Sequence, residues 1–292
     1  GNTPMSFHFC ATPSTDEHTA RAAEMLESIR FSHKHKGHEI VRLLPAHRGE
    51  AVDVMASSFA GSALADPEPI FNWALGKPLY GKWDDPARLR WTRWYMTWCF
   101  ETCVAYGLVI GVRDAVSSQL MSVTALLPPG RSRFADTRSW HKTHMWRLSA
   151  RVGSMPPDVL SPSAFPPNAG PRLEAISAHL ISKHEKLSET AVLGAAAGHW
   201  FVYVQAVSPS FQGRGCTRTA LESVSKLARE VGEAPKVCYL EAGSERNMRV
   251  YARLGYEIIE QVVGESVVDP KLLIDGDTPP NVWLMARPAS SS

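Results

Sequence analysis

Net charge, paired cysteines and long apolar runs are all scarce in this 292-residue chain. Lys and Arg number 31 against 29 Asp and Glu, a formal charge of +2. That balance argues against a large nucleic-acid footprint, which normally needs a clustered basic face. Five cysteines, at positions 10, 99, 103, 216 and 238, show no C-x-x-C spacing, so neither a zinc site nor an even disulfide framework is expected. Cys99 and Cys103, four apart on a helical pattern, read as buried reduced thiols. No run of 18 apolar residues and no secretory leader occurs, which points to a soluble, cytoplasmic protein without a membrane partner. Internal repeats are absent. His141 and His144 lack the H-E-x-x-H arrangement, and His33-Lys-His-Lys-Gly-His38 reads as a solvated link, so no metal is expected.

Proline, by contrast, is plentiful, and eight of the 21 fall within residues 128–171. Such density excludes a long regular element and predicts a loop that wraps the surface or caps a cleft. Around it, the spacing predicts a strand over Glu39–Leu44, a helix over Arg48–Phe59, a short helix over Ile70–Leu75 and a hairpin of Leu108–Val112 with Leu120–Leu127. A helix follows over Leu173–Leu187, then strands near Trp200–Val207, Lys236–Glu241, Ile258–Ile259 and Val282–Met285. Residues 1–36 form an N-terminal extension with a helical pattern over Asp16–Arg30, ahead of one domain over residues 37–288.

The strongest local signal is Phe211-Gln-Gly-Arg-Gly-Cys-Thr217, between an apolar strand and an amphipathic helix with Cys216, Ala220, Val224, Leu227 and Val231 on one face. A glycine-rich turn entering a helix N-terminus collects backbone N–H groups and about half a positive charge, which is an anion cradle. The residues present spell a pyrophosphate site. No Lys-Ser or Lys-Thr follows the glycines, which excludes a nucleotide P-loop, and Arg218 stands where the third glycine of a Rossmann fingerprint belongs.

The string Gln212-x-x-Gly215-x-Thr217 resembles the coenzyme A loop of the GNAT acyltransferase superfamily, with Thr217 in place of the usual final Gly or Ala. About 30 residues on, Leu240-Glu241 and Asn247-x-x-x-Tyr251-x-x-x-Gly255-Tyr256 resemble the second GNAT signature. Within the superfamily, His199-Trp-Phe201, Val207-Ser-Pro209, Tyr239-Leu-Glu241, Arg246-Asn247 and Trp283-Leu-Met-Ala-Arg287 are similar to the puromycin N-acetyltransferase branch. The resemblance implies an α/β fold, a twisted mixed sheet flanked by helices. It also implies acetyl-coenzyme A as co-substrate and N-acetyltransferase activity, with a small-molecule amine as the chosen acceptor class. A protein or peptide acetyltransferase and a non-catalytic acyl-coenzyme A binder are the alternatives.

Acyl transfer to an amine needs a base for the ammonium, an oxyanion stabiliser and a proton for the departing thiolate. By analogy with the family, Tyr251 is the general acid; the bland reading is a Tyr packed under the turn. Glu241, a carboxylate at the end of a buried strand, is the candidate base or acceptor-orienting group, or else a partner for nearby backbone. Glu245 and His199 are weaker candidates. The resemblance places the cofactor on Ala206 and Val207, where a splayed backbone would supply an oxyanion N–H, and on Gln212, Gly213, Arg214, Gly215, Cys216, Thr217 and Asn247. Arg214 and Arg218 are candidates for its charged end, or solvated helix charges. Trp91, Trp94, Tyr95 and Trp98 form one helical stripe that reads as core; with Phe71, Trp73, Trp140 and Trp146 it could instead line an acceptor cavity.

Overall fold

The computed structural model describes residues 37–76, 82–129, 148–154, 169–194, 198–230, 236–273 and 277–288. The N-terminal extension, Trp140, His141, His144 and Trp146 lie outside these residues. Seven strands are present among the described residues: β1 (His38–Arg42), β2 (Leu108–Asp114), β3 (Leu120–Leu127), β4 (His199–Val207), β5 (Val237–Ala242), β6 (Glu257–Val262) and β7 (Val282–Arg287). They form a single sheet in the order β1-β2-β3-β4-β5-β7-β6, and every neighbouring pair is antiparallel except β4 and β5. Among the described residues it is flanked by the helices α1 (Arg48–Ala60), α2 (Pro69–Leu75), α3 (Pro86–Tyr106), α4 (Ala169–Ser188), α5 (Cys216–Glu230) and α6 (Glu245–Ala252). The mixed α/β layout expected from the sequence is the one observed.

Alternation along the strands divides the core in two. Val109, Val123, Ala125, Phe201, Tyr239 and Leu284 pack beneath α1, α3 and α4. Leu108, Ile110, Leu126, Trp200, Val202 and Met285 face α5 and α6. The central β3 is buried along its whole length, since helices cover both of its faces. Each buried Val, Leu, Ile, Met or Phe among them contributes roughly 1.5–3 kcal/mol by leaving water.

Helix starts follow local chemistry. Asp85 precedes Pro86, and its Oδ1 accepts from the Ala87 and Arg88 amides at 2.8 and 3.2 Å. At the other end of α3, Gly107 passes so close to β3 that a Cβ there would sit 1.9 Å from the Leu126 carbonyl oxygen. Two expectations need correction. His38 is buried rather than solvated, because its Nδ1 pairs with Thr219 Oγ1 at 2.9 Å and ties β1 to α5. The proline-rich segment ends earlier than its composition suggests: α4 begins at Ala169, since Pro171 lies in a first turn whose N–H groups need no helical partner.

The feature that shapes the site is a bulge. Leu126 pairs with Val202 and Ala125 with Val204, so Tyr203 is an extra residue on β4. The β4–β5 pairing also stops at Val202 and Leu240. Beyond that point β4 stays with β3, β5 stays with β7, and a gap opens between the carboxyl ends of the two parallel strands.

Gly107→Ala should lower stability by roughly 2 kcal/mol or more, a fall in Tm of about 5 °C, because the methyl group meets backbone rather than a yielding side chain. Thermal unfolding monitored by circular dichroism checks this; an unchanged Tm would mean that the α3–β3 approach is looser than described.

Candidate active site

Both parallel strands feed helices at the mouth of the gap: β4 leads through the glycine-rich turn to α5, and β5 leads directly to α6. Ligands of open α/β sheets gather at such carboxyl ends. Gly213 and Gly215 both adopt left-handed backbone, at φ of 79° and 83°, and a Cβ on either would meet nothing within 4 Å. Among the described residues, the amides of Gly213, Gly215, Cys216, Thr217 and Arg218 donate to no backbone carbonyl, and the first bond of α5 runs from Thr219 N to Gly215 O. These free donors surround a cleft of about 490 Å³ that also takes in Gln212, Arg218, Arg246 and Arg253. Aligned amides and three guanidinium groups fit a pyrophosphate.

A second cavity, of about 250 Å³, lies deeper in the gap beneath α2, α3 and α4. Its walls are largely apolar and aromatic, including Phe71, Tyr95, Phe201 and Tyr203, with Ile176 and Leu180 from α4. Five residues line both cavities: Phe59, Glu68, Gln205, Asn247 and Tyr251. The two cavities meet at these residues.

Glu68 is the residue sequence reasoning missed. It caps α2, with Oε2 accepting from Phe71 N at 2.8 Å. Its other oxygen lies 2.1 Å from where a Cβ on Gly243 would be, so a side chain at 243 would push the carboxylate out of this position. Burial pushes its pKa up to about 7, against the opposing pull of the Phe71 and Ile70 amides and of Arg88. The local signal, an acidic residue directly before Pro69 and a short apolar helix, marks a cap but does not show what lies opposite.

Glu241 lines only the inner cavity. Its Oε1 accepts from the Tyr239 hydroxyl at 2.9 Å. Burial raises its pKa to about 7, and the bond from Tyr239 only partly offsets that. Tyr239 is itself held by His184, whose ring stacks on it at 4.4 Å and whose Nε2 lies 2.7 Å from His199 Nε2. His199 thus sits in a fully buried stack rather than in the cavity.

Tyr251 is 8% exposed, and burial together with the nearby Glu68 raises its pKa above the ordinary phenol range. It therefore keeps its proton at neutral pH. Asn247 lies one turn before it on α6, with its amide capped by Ser244 Oγ at 3.1 Å. Gln205 receives the Thr124 hydroxyl on Oε1 at 2.6 Å, and its buried Nε2 has no partner among the described residues.

The expected splay at Ala206–Val207 is displaced to Tyr203, because the register with β3 fixes where the extra residue falls. Ser208 N donates to Met121 O across β3, so by alternation Val207 and Gln205 turn their N–H groups to the gap and Ala206 turns toward β3. The Val207 amide reaches Ser58 Oγ at 3.3 Å. Ala206 is packed in the core. Arg214 lies outside the cleft lining; its guanidinium sits over the Phe211 ring at 5.0 Å. The backbone of Cys216 lies at the cleft while its thiol turns back toward Phe211 O at 3.9 Å. The aromatic stripe divides: Tyr95 lines the inner cavity, whereas Trp91 packs on Phe71 at 5.3 Å and Trp94 bonds Gly153 O at 3.2 Å. Trp73 is covered by Arg172 at 4.1 Å.

Residues 175–256 match the family model for the acetyltransferase (GNAT) family. A mycothiol acetyltransferase of Propionibacterium freudenreichii subsp. shermanii is 33% identical over 69 residues, 24% of this chain and 22% of that protein. The chain thus spans about a fifth of the length of the curated relative it matches. Among solved structures, arylalkylamine N-acetyltransferase 2 from Aedes aegypti superposes with a TM-score of 0.54 at 12% identity, over 87% of this chain and 100% of that one. Mosquito arylalkylamine N-acetyltransferase like 5b gives 0.55 at 13% identity, over 86% and 99%. At these identities the likeness is one of fold.

The raised pKa of Glu241 has a consequence for stability. A carboxyl held near 7 when folded and near 4.5 when unfolded contributes fully below pH 4.5 and loses its contribution as pH rises through 7. Glu241→Gln removes that loss, so at pH 8 it should be more stable than the parent by up to about 3 kcal/mol, with the gap closing near pH 4.5. Denaturant unfolding at both pH values measures it; a variant less stable at pH 8 would contradict the burial of this carboxylate.

Proposed function

We propose that this chain, a member of the GNAT acyltransferase superfamily, transfers an acetyl group from acetyl-coenzyme A to the amine of a small molecule by direct attack. The meeting of an anion-binding cleft and an enclosed inner cavity at Glu68, Gln205 and Tyr251 carries this reading. The amides of Gly213, Gly215, Cys216 and Thr217, with Arg218, Arg246 and Arg253, hold the pyrophosphate. Asn247 lines the path between the two cavities, and the N–H groups of Gln205 and Val207 face the thioester. An acceptor enclosed beneath α2, α3 and α4 suits a small amine better than a polypeptide.

In the reaction, Glu68 accepts a proton from the ammonium, and the neutral nitrogen attacks the thioester carbonyl. The Gln205 side-chain amide and the Val207 N–H, released from Ser58, stabilise the oxyanion. The C–S bond then breaks as Tyr251 gives its proton to the departing sulfur, and the extra proton on the new amide nitrogen passes to the Tyr251 phenolate, which restores the phenol. Placing the base at Glu68 rather than Glu241 follows from the junction, where only the former borders both cavities. The segments similar to the puromycin N-acetyltransferase branch support a place near that branch. The mosquito neighbours bear arylalkylamine in their names, which is in keeping with a small amine acceptor.

Acetyl-coenzyme A at 100 times its Kd should raise stability by about 2.7 kcal/mol and Tm by roughly 5–10 °C. Thermal shift measures this, and no stabilisation by acetyl-coenzyme A or coenzyme A would end the proposal. Tyr251→Phe should lower kcat by about 10–100-fold with little change in coenzyme A affinity. Glu68→Gln should lower kcat and abolish an acidic limb of the kcat/KM profile near pH 7, since Glu68 must be ionised to act. Thiol-release kinetics across pH 5.5–9 test both variants, and a limb that survives Glu68→Gln would reassign the base.

A further inference from the structure

A hydroxyl lies in the central strand where an apolar side chain of the same shape would fit. Thr124 has no exposed surface, and its neighbours Val123, Ala125 and Leu126 are buried and apolar. A buried hydroxyl is unfavourable unless it finds a partner. Thr124 finds one across the β3–β4 pair: its Oγ1 donates to Gln205 Oε1 at 2.6 Å, and the two residues stand directly opposite each other. The bulge sets this pairing. Counting on from Leu126 and Val202 without the extra residue Tyr203, Thr124 would face Val204 instead.

The two ends of a side-chain amide differ in what they can do. With Oε1 on the Thr124 hydroxyl, the amide turns its Nε2 away from that hydroxyl, and this buried nitrogen has no partner among the described residues. Gln205 borders both cavities, whereas Thr124 lines neither. Turned over, the amide would place Nε2 on Thr124 Oγ1, strand the hydroxyl hydrogen beside an N–H2 group and present a carbonyl oxygen in place of a donor. A carbonyl oxygen repels a developing oxyanion, and an N–H attracts it. The orientation of Gln205 therefore decides whether it helps or hinders, and one hydroxyl sets that orientation.

We propose that Thr124 is a positioning residue for acyl transfer: its hydroxyl holds Gln205 by Oε1, so that Nε2 is presented to the thioester oxygen. This rests on the acetyltransferase reading above, in which Gln205 stabilises the oxyanion. Thr124 acts only through Gln205 and touches neither substrate.

The test is thiol release from acetyl-coenzyme A by the full chain, with butylamine and 2-phenylethylamine as acceptors. Thr124→Val, which keeps the shape of threonine, should lower kcat by about 10–100-fold and leave KM for acetyl-coenzyme A within about twofold. Thr124→Ser should restore most of the lost rate, and Thr124→Ala removes the hydroxyl by a second route if the valine variant does not fold. In a Gln205→Leu background, Thr124→Val should cost less than about twofold more. An unchanged kcat in Thr124→Val, or a loss as large in the Gln205→Leu background as in the parent, overturns the proposal. A second readout needs no turnover. The Gln205 side-chain N–H2 signal in 15N-resolved NMR, identified by its loss in Gln205→Leu, should move downfield when acetyl-coenzyme A saturates the parent and should not do so in Thr124→Val. That pattern with no thiol release from either amine would keep the positioning role and count against the acetyltransferase reading. No shift in the saturated parent would reject the positioning role even where thiol is released.

Discussion

One extra residue governs this site. Tyr203 bulges from β4 where Leu126 and Ala125 of β3 keep their own spacing, and the pairing with β5 ends at Val202 and Leu240. A bulge redirects side chains as well as backbone. Before it, Phe201 faces α4; after it, Val204 and Ala206 take that face, and Gln205 and Val207 turn to the outer cleft. Without the bulge, β4 could continue beside β5, and neither the inner cavity nor a free N–H edge would exist. The Tyr203 hydroxyl lies within hydrogen-bonding reach of the Tyr95 hydroxyl and the Cys99 thiol, so the strand's irregularity is held against α3.

Charge is segregated across that gap. Helix N-termini, free amides and Arg218, Arg246 and Arg253 collect on the outer side, and two carboxylates lie on the inner side. On the proposed reading, an anionic donor and a cationic acceptor have different places to go, and their reactive ends would meet where the two regions join. The carboxylates are costly to the fold: burial raises both toward neutrality, and neither forms a direct ion pair among the described residues. Retaining buried charge at a stability cost is what a site made for a cationic partner requires.

What the sequence revealed follows how local each signal is. The turn at Gln212–Thr217 and the Asn247…Tyr251 helix were legible because glycine, helix start and strand end are short-range statements, and the structure brings both segments to the same cleft. Strand and helix positions were legible from periodicity. Glu68 was not, because its role arises from an approach to Gly243 across 175 residues of chain, and Asp66-Pro-Glu-Pro69 alone reads as a break. The bulge fell at Tyr203 rather than Ala206–Val207 because its place is set by register with β3, which one strand cannot disclose. Arg214 stands in the loop, yet the Phe211 ring holds its guanidinium, while Arg246 and Arg253, which no loop motif marks, line the cleft.

The most direct measurement is a crystal structure with a non-hydrolysable thioether analogue of acetyl-coenzyme A. The pyrophosphate should rest on the amides of Gly213, Gly215, Cys216 and Thr217, and the sulfur should lie in the β4–β5 gap between the Gln205 and Val207 amides and the Tyr251 hydroxyl, with Glu68 facing the acetyl group's inner side. A sulfur outside that gap, or a β4–β5 ladder continuing past Val202 and closing it, would contradict the account.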